Sequence, residues 1–295
     1  MSFESLMAAS QRLSVSVETL AALGAQLRFL QNGLEGDSRV RALLTDVARA
    51  VDPQLLDGLE RQQQETAIAL IQTVFRQALD LLENPERVPG WSYEDENILQ
   101  SQGQPSWLIV RWIEAIAAQR PELSEVLRRP GAFLDVGTGV GSLAIEAARS
   151  WPALRVVGID PWEPALTLAR KNLARSGLAE RVELRQQGVE RLEDKATFTL
   201  AWVPGPFISP EVVDRALEHV RCALVPGGWL IFGFYPIPSA PLGQALARLR
   251  ILRSGGHPWT SKDVEEKLRA LAFEQIEVYS SAPSIVLAIA QRPGT

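Results

Sequence analysis

The stretch Phe133–Ala148, FLDVGTGVGSLAIEAA, decides how the chain is read. Phe133 and Leu134 form an apolar run that ends in Asp135. Gly137, Gly139 and Gly141 follow at alternate positions, and Leu143, Ile145, Ala147 and Ala148 then recur at helical spacing. This is the pattern of a strand, a tight glycine turn and a helix. Glycine adopts positive φ without steric cost and lets the backbone approach a ligand, while the first amides of a helix lack partners within it. The stretch predicts a site for a nucleotide-type cofactor.

Which cofactor follows from the charges around the loop. A dinucleotide fingerprint would place a glycine where Ser142 stands and would hold a pyrophosphate on the helix N-terminus. Here the spacing is Gly-x-Gly-x-Gly and Asp135 stands just before it; a carboxylate there repels a pyrophosphate and suits a cationic ligand. The next apolar run, Arg155–Ile159, ends in Asp160, where a paired acceptor can hold a ribose diol. The order D-x-G-x-G-x-G followed by V-V-G-I-D resembles motifs I and II of the class I methyltransferases that use S-adenosylmethionine.

The alternation continues outward. Strands are expected into Asp135 and Asp160, at Val182–Arg185, at Thr197–Val203 and at Trp229–Tyr235. Helices are expected to about Ser150, over Glu163–Ser176 and over Pro210–Leu224. Glu274–Tyr279 and Ile285–Ala290 read as a closing antiparallel pair separated by Ser-Ser-Ala-Pro-Ser. The fold class is α/β: a doubly wound, Rossmann-like, seven-stranded sheet, as the resemblance implies for residues 105–295, with an all-helical N-terminal domain. Before the first strand, Trp107, Leu108, Ile109, Trp112, Ile113 and Ile116 give the residues from Pro105 to Arg120 one helical apolar stripe, expected in the core.

Residues 1–90 carry no strand signal and are expected to form a helical cap or dimerisation domain. Leu6, Leu13, Leu20 and Leu27 recur at heptad spacing, with Val17, Leu23 and Leu30 in the adjacent row and Gly24 interrupting the seam. The first helix should end near Asn32-Gly33, and the second should open at Asp37 or Ser38. A third should start at Asp52-Pro53 and run to Glu83. Residues 91–104 change character and read as a hinge or lid, in which Trp91 and Tyr93 either close over a substrate or anchor the segment.

Composition narrows the partners. At 295 residues and 46% hydrophobic, the chain can bury a sizeable core. A net charge of −5 without a long basic run disfavours nucleic acid. No apolar run reaches the roughly eighteen residues of a membrane span, and the N-terminus lacks a basic start before an apolar stretch. A cytoplasmic protein without membrane contact is expected. Cys222 is the single cysteine and is expected to pack as a small hydrophobe. Two histidines and one cysteine far apart offer no metal site.

The resemblance implies roles for individual residues. Asp135, Gly137, Thr138, Gly139 and Gly141 would face the methionine part of S-adenosylmethionine, Asp160 the ribose, and Pro161-Trp162 the adenine. After the third strand, where family members often carry an acid for the adenine amino group, the chain reads Gln186-Gln187-Gly188-Val189. Backbone amides of Gly188 and Val189, or the Gln187 side chain, would be the substitutes for it. Val203 ends the fourth strand at the cofactor. The following Pro204-Gly205-Pro206-Phe207 lacks the polar residue with which amino-group methyltransferases orient an amine. Pro206, Phe207, Tyr235, Trp259, Trp91 and Tyr93 supply an aromatic and apolar substrate pocket, which suits a flat small molecule. His257 reads either as a turn residue or as a base in that pocket, and His219 as surface or packing; no catalytic residue is singled out.

The expectation is thus a small-molecule methyltransferase, with oxygen favoured over nitrogen and carbon as acceptor, and a homodimer formed through the N-terminal helices. The alternatives are a protein or nucleic-acid methyltransferase and a non-catalytic cofactor-binding partner.

Overall fold

A computed structural model describes residues 2–33, 35–282 and 284–294. The chain divides into two compact units, Met1–Glu83 and Asn84–Thr295.

The first unit holds α1 (Phe3–Asn32), α2 (Ser38–Val51) and α3 (Arg61–Glu83). Ser2 caps α1 by accepting from the amide of Ser5, and Gly33, in the left-handed conformation, ends it. Asp37 caps α2 by accepting from the Arg39 amide at 2.8 Å. Leu27 is buried, and Gly24 brings α1 close to α3: a Cβ there would stand 3.3 Å from Ile71 Cγ2. The N-terminal half of the leucine seam is not covered, for Leu6, Leu13 and Val17 are exposed.

The third helix begins later than Asp52-Pro53 suggested. Asp52 ends α2, and its carboxylate accepts from the Gln54 amide at 2.8 Å, an Asx turn rather than a helix cap. Gly58 then takes φ +69, which no helix accommodates, so α3 opens only at Arg61.

The second unit is a seven-stranded sheet in the order β3-β2-β1-β4-β5-β7-β6. Its strands are β1 (Gly131–Val136), β2 (Leu154–Asp160), β3 (Val182–Gln186), β4 (Phe198–Pro204), β5 (Leu224–Phe234), β6 (Glu274–Ala282) and β7 (Ile285–Gln291). Neighbours are parallel except that β7 runs antiparallel to β5 and β6. Pro283 of the expected Ser-Ser-Ala-Pro-Ser segment lies outside the described residues. Alternation along the strands supplies both faces: Leu134, Val136, Val157 and Ile159 face one apolar layer, Phe133, Val156, Leu200 and Trp202 the other. α7 (Ser142–Ser150) and α5 (Leu108–Ala117) cover the second layer, α9 (Pro210–Ala223) and α11 (Ser261–Ala270) the first. α6 (Pro121–Arg128) and α8 (Glu163–Ser176) complete this wrapping, and α10 (Pro241–Arg253) fills the segment after β5.

Three local expectations shift. The apolar stretch from Pro105 to Arg120 is a 3-10 turn at Gln104–Trp107 followed by α5, which ends at Ala117. β5 starts at Leu224, and the Val225–Gly228 turn bulges from the strand, with pairing resuming between Leu200 and Trp229. Cys222 is exposed on α9 rather than packed.

Candidate functional site

The register sets Asp135 beside Gly158 and Asp160 beside Gln186, so the C-terminal ends of β1, β2 and β3 lie side by side, where open parallel sheets bind their ligands. Gly137, Gly139 and Gly141 take φ of +64, +54 and +81, a succession closed to other residues without strain. The Gly141 amide bonds the Thr138 carbonyl at 2.8 Å, and α7 departs directly from that turn. The Thr138 amide reaches across to the Ile159 carbonyl at 3.0 Å, which ties the loop to β2.

Both acids lie within this frame. Asp160 accepts from the Gly139 amide at 2.9 Å through one oxygen and from the Trp162 amide at 2.8 Å through the other. Burial raises its pKa, and these two amides oppose the rise. Asp135 is 1% exposed and accepts from the Thr138 hydroxyl at 2.7 Å. Burial is the main cause that pushes its pKa up to about 7; the Thr138 hydrogen bond opposes the shift, and the neighbouring charge of Asp160 adds to it. A buried acid held at that value and next to a second acid favours a ligand that carries positive charge. S-Adenosylmethionine, with its sulfonium and ammonium groups, fits this cradle.

The expected hinge or lid segment, 91–104, lies in the second unit, and part of it folds as α4 (Glu96–Gly103), capped by Asp95. Leu99 is buried with Val140 of the glycine loop and with Ala165 and Leu168 of α8. Gly103 sits so close to that loop that a Cβ would stand 2.5 Å from Val140 Cγ2. Ser142 Oγ donates to the Gln104 carbonyl at 2.8 Å, and Asn172 Nδ2 donates to the Val140 carbonyl at 2.9 Å while pairing with Gln100. These contacts fasten α4 over the loop. Asn172 was not among the residues singled out in the sequence, and Ser142 was noted only as a departure from a dinucleotide fingerprint, since an amide on a helix and a serine after a glycine turn carry no local signal of such contacts.

Of the other expected residues, Pro161 is exposed, and Trp162 is half-buried with its indole N–H donating to the Tyr93 carbonyl at 2.7 Å. Val203 is fully buried in β4 beneath the site. Gly188 and Val189 form the turn after β3. The side chain of Gln187 is committed elsewhere, donating to the Arg191 carbonyl at 2.7 Å. Trp91 packs edge-on against both Tyr93 and Phe207, at 5.0 and 5.2 Å between centroids, and Phe207 faces Tyr235 at 6.5 Å. Arg87 lies over the Tyr93 ring and donates to its hydroxyl at 3.0 Å.

His257 and Trp259 behave differently from that row. Gly256 is pressed against Pro206, whose carbonyl a Cβ would overlap, so the loop carrying half-buried His257 reaches the Pro204–Phe207 turn. Trp259 instead turns into the core, 6% exposed and edge-on to Phe232 at 5.9 Å, because its ring extends the apolar layer under α11. His219 serves packing, its Nδ1 lying 2.6 Å from the Leu192 carbonyl. Among the described residues, no group of three or more His, Cys, Asp or Glu side chains is placed to hold a metal ion.

Known proteins resemble the chain in the region of this site. A methyltransferase-domain family matches residues 133–228. Cobalt-precorrin-6B C(15)-methyltransferase (decarboxylating) of Salmonella typhimurium is 30% identical over 156 residues, covering 53% of this chain and 74% of that protein. Release factor glutamine methyltransferase of Rhodopirellula baltica is 34% identical over 140 residues, 47% of this chain and 45% of that protein. The chain thus spans less than half the length of several curated relatives that it matches. In fold it is similar to an O-methyltransferase family protein from Burkholderia thailandensis, with a TM-score of 0.68, 15% identity and coverage of 99% of this chain and 98% of that one. With the glycine loop, the two acids and the strand order in place, the chain belongs to the class I S-adenosylmethionine-dependent methyltransferases.

Proposed function

We propose that the protein transfers a methyl group from S-adenosylmethionine to a small, flat molecule, with oxygen as the favoured acceptor atom over nitrogen or carbon. The observation that carries this reading is the row of rings Trp91, Phe207 and Tyr235 beyond the ends of β4 and β5, set beside a turn, Pro204–Phe207, that offers no side-chain amide or carboxylate. Edge-to-face rings make an apolar wall against which a planar acceptor can lie. Bound S-adenosylmethionine would supply an electrophilic methyl carbon for a lone pair of the acceptor, and a hydroxyl acceptor would give up its proton to solvent. The chain's part is to align and desolvate the acceptor. Asp135 faces the cationic end, Asp160 the ribose, and Trp162 the base. His257, carried on the loop packed against Pro206, completes the lining beside Pro206, Phe207, Tyr93 and Tyr235. Trp259, expected in that lining, is not assigned to it here.

A second reading, a protein substrate, draws support from relatives whose names specify release factor and ribosomal protein methylation. Labelled S-adenosylmethionine supplied with small phenols, carboxylic acids and amines, and separately with ribosomal and release-factor proteins, separates the two. Label in the organic extract, lost in Asp160→Ala, supports the first; label only in protein overturns it.

The reading includes a homodimer formed through the first unit, supported by the uncovered side chains of Leu6, Leu13 and Val17, and no nucleic-acid partner, supported by the net charge of −5; a cytoplasmic setting without a membrane partner is part of the same reading. Among the described residues no helix is long and apolar enough to cross a membrane.

A further inference from the structure

The ring wall stands on two footings. Phe207 and Tyr235 follow β4 and β5 directly, whereas Trp91 and Tyr93 belong to the stretch of chain before α4. That stretch is tied down at separate points. The Gly90 amide donates to the Arg253 carbonyl at 3.1 Å, and Arg87 donates to the Gly90 carbonyl at 2.9 Å while its other terminal nitrogen holds the Tyr93 hydroxyl. A further tie comes from the cofactor site: the indole N–H of Trp162 donates to the Tyr93 carbonyl at 2.7 Å, between residues 69 positions apart.

Trp162 has its backbone fixed beside the ribose acid. Its amide donates to Asp160 Oδ1 at 2.8 Å, and its carbonyl accepts from the Leu166 amide at 3.2 Å in the first turn of α8. The ring is held less completely. It is half-buried and, with Trp91 and Tyr93, packs against Leu99, Val140, Ala165 and Leu168. An indole carries one N–H, whose direction turns with the ring, so whatever settles the ring also settles the bond to Tyr93. A base laid on the open part of the ring would do so.

We propose that Trp162 is a positioning residue that joins the two ligand sites: its ring meets the cofactor's base, and its indole N–H then sets Tyr93, and through Tyr93 the Trp91 ring beside Phe207, for the acceptor. The proposal rests on the S-adenosylmethionine site described above and goes beyond it by making the acceptor wall depend on what fills that site. Coupling of this kind is reciprocal, so each ligand tightens the other by the same factor. One hydrogen bond limits that factor to about threefold to tenfold.

Hydrogen exchange of the full chain, with and without S-adenosylhomocysteine, tests this without any acceptor. In the unaltered protein the compound should slow amides in the glycine loop, 137–141, and also in residues 91–95, the latter by about threefold or more. Trp162→Phe keeps a ring and loses the N–H. By calorimetry it should bind S-adenosylhomocysteine within about threefold of the unaltered affinity and still protect 137–141, while 91–95 exchange equally fast with and without the compound. Faster exchange at 91–95 by the same factor in the free and the bound variant is what a purely structural latch gives, and would overturn the coupling. So would residues 91–95 indifferent to the compound in an unaltered protein whose glycine loop is protected, an outcome that needs no variant. Failure of the unaltered chain to bind S-adenosylhomocysteine at all would overturn the cofactor site and this inference together.

Discussion

The backbone amide of Gly139 donates to Oδ2 of Asp160 at 2.9 Å, so that the loop following β1 and the acid ending β2 hold each other in place. Asp160 also accepts from the Trp162 amide, and removing its side chain strips two amides of their partner together with the acceptor proposed for the ribose. Asp160→Ala is expected to weaken S-adenosylhomocysteine by at least about 100-fold while circular dichroism keeps the native spectrum. Asp160→Asn, which retains one acceptor oxygen, should fall between. Calorimetric binding constants for the three proteins check the order, and equal affinities would contradict it.

The proton on Asp135 couples binding to pH. With the carboxyl pushed up to about 7 in the free protein, a cationic ligand placed against it favours the ionised form and expels the proton. Affinity for S-adenosylmethionine should therefore rise between pH 6 and 8. Titration in buffers of different ionisation enthalpy should show proton release on binding, absent in Asp135→Asn. Stability of the free protein carries the opposite trend. The folded state keeps this proton up to about pH 7, whereas an unfolded chain releases it near the ordinary value of 3.8, so folded protein binds more protons in between. This group's contribution is complete below the unfolded value and is lost as pH rises through the folded one, and Asp135→Asn should melt higher than the unaltered protein at pH 8.

Gly103→Ala sets two effects against each other. Alanine in place of glycine ordinarily favours a helix by about 0.5–1 kcal/mol. Here its Cβ would stand 2.5 Å from Val140 Cγ2, and forcing a methyl into a packed site costs about 1–3 kcal/mol. The clash should win: the melting temperature is expected to drop by a few degrees, with faster amide exchange across α4 and weaker cofactor binding. A higher melting temperature would mean that α4 yields freely.

Phe207→Ala opens the ring wall between Trp91 and Tyr235 without touching either acid. Once an acceptor is known, its KM should rise about tenfold, while the dissociation constant of S-adenosylhomocysteine stays within about twofold. A matching loss of cofactor affinity would place Phe207 in the cofactor site instead.

How far these features were legible depended on whether their cause was local. The glycine loop and Asp135 and Asp160 could be read directly, because positive φ and strand-end acids leave marks within a few residues, and α8 runs over the residues that its periodicity indicated. Asp52 misled, since the same acid before proline that can cap a helix also makes an Asx turn, and Gly58 decided between them. Within residues 91–104, read as a hinge or lid, α4 left no mark in the sequence because the burial of Leu99 comes from Val140, Ala165 and Leu168, all distant along the chain. Trp259 looked like pocket lining from its neighbours alone, although the layer it joins is built by β5.

The Glu190 carboxylate lies where a Cβ on Gly188 would stand, while the backbone there, at φ −75, admits any residue. A side chain at 188 and the present placement of Glu190 therefore exclude each other, but the acid ends a flexible side chain that is 28% exposed, so Gly188→Ala should swing Glu190 into solvent rather than unfold the turn.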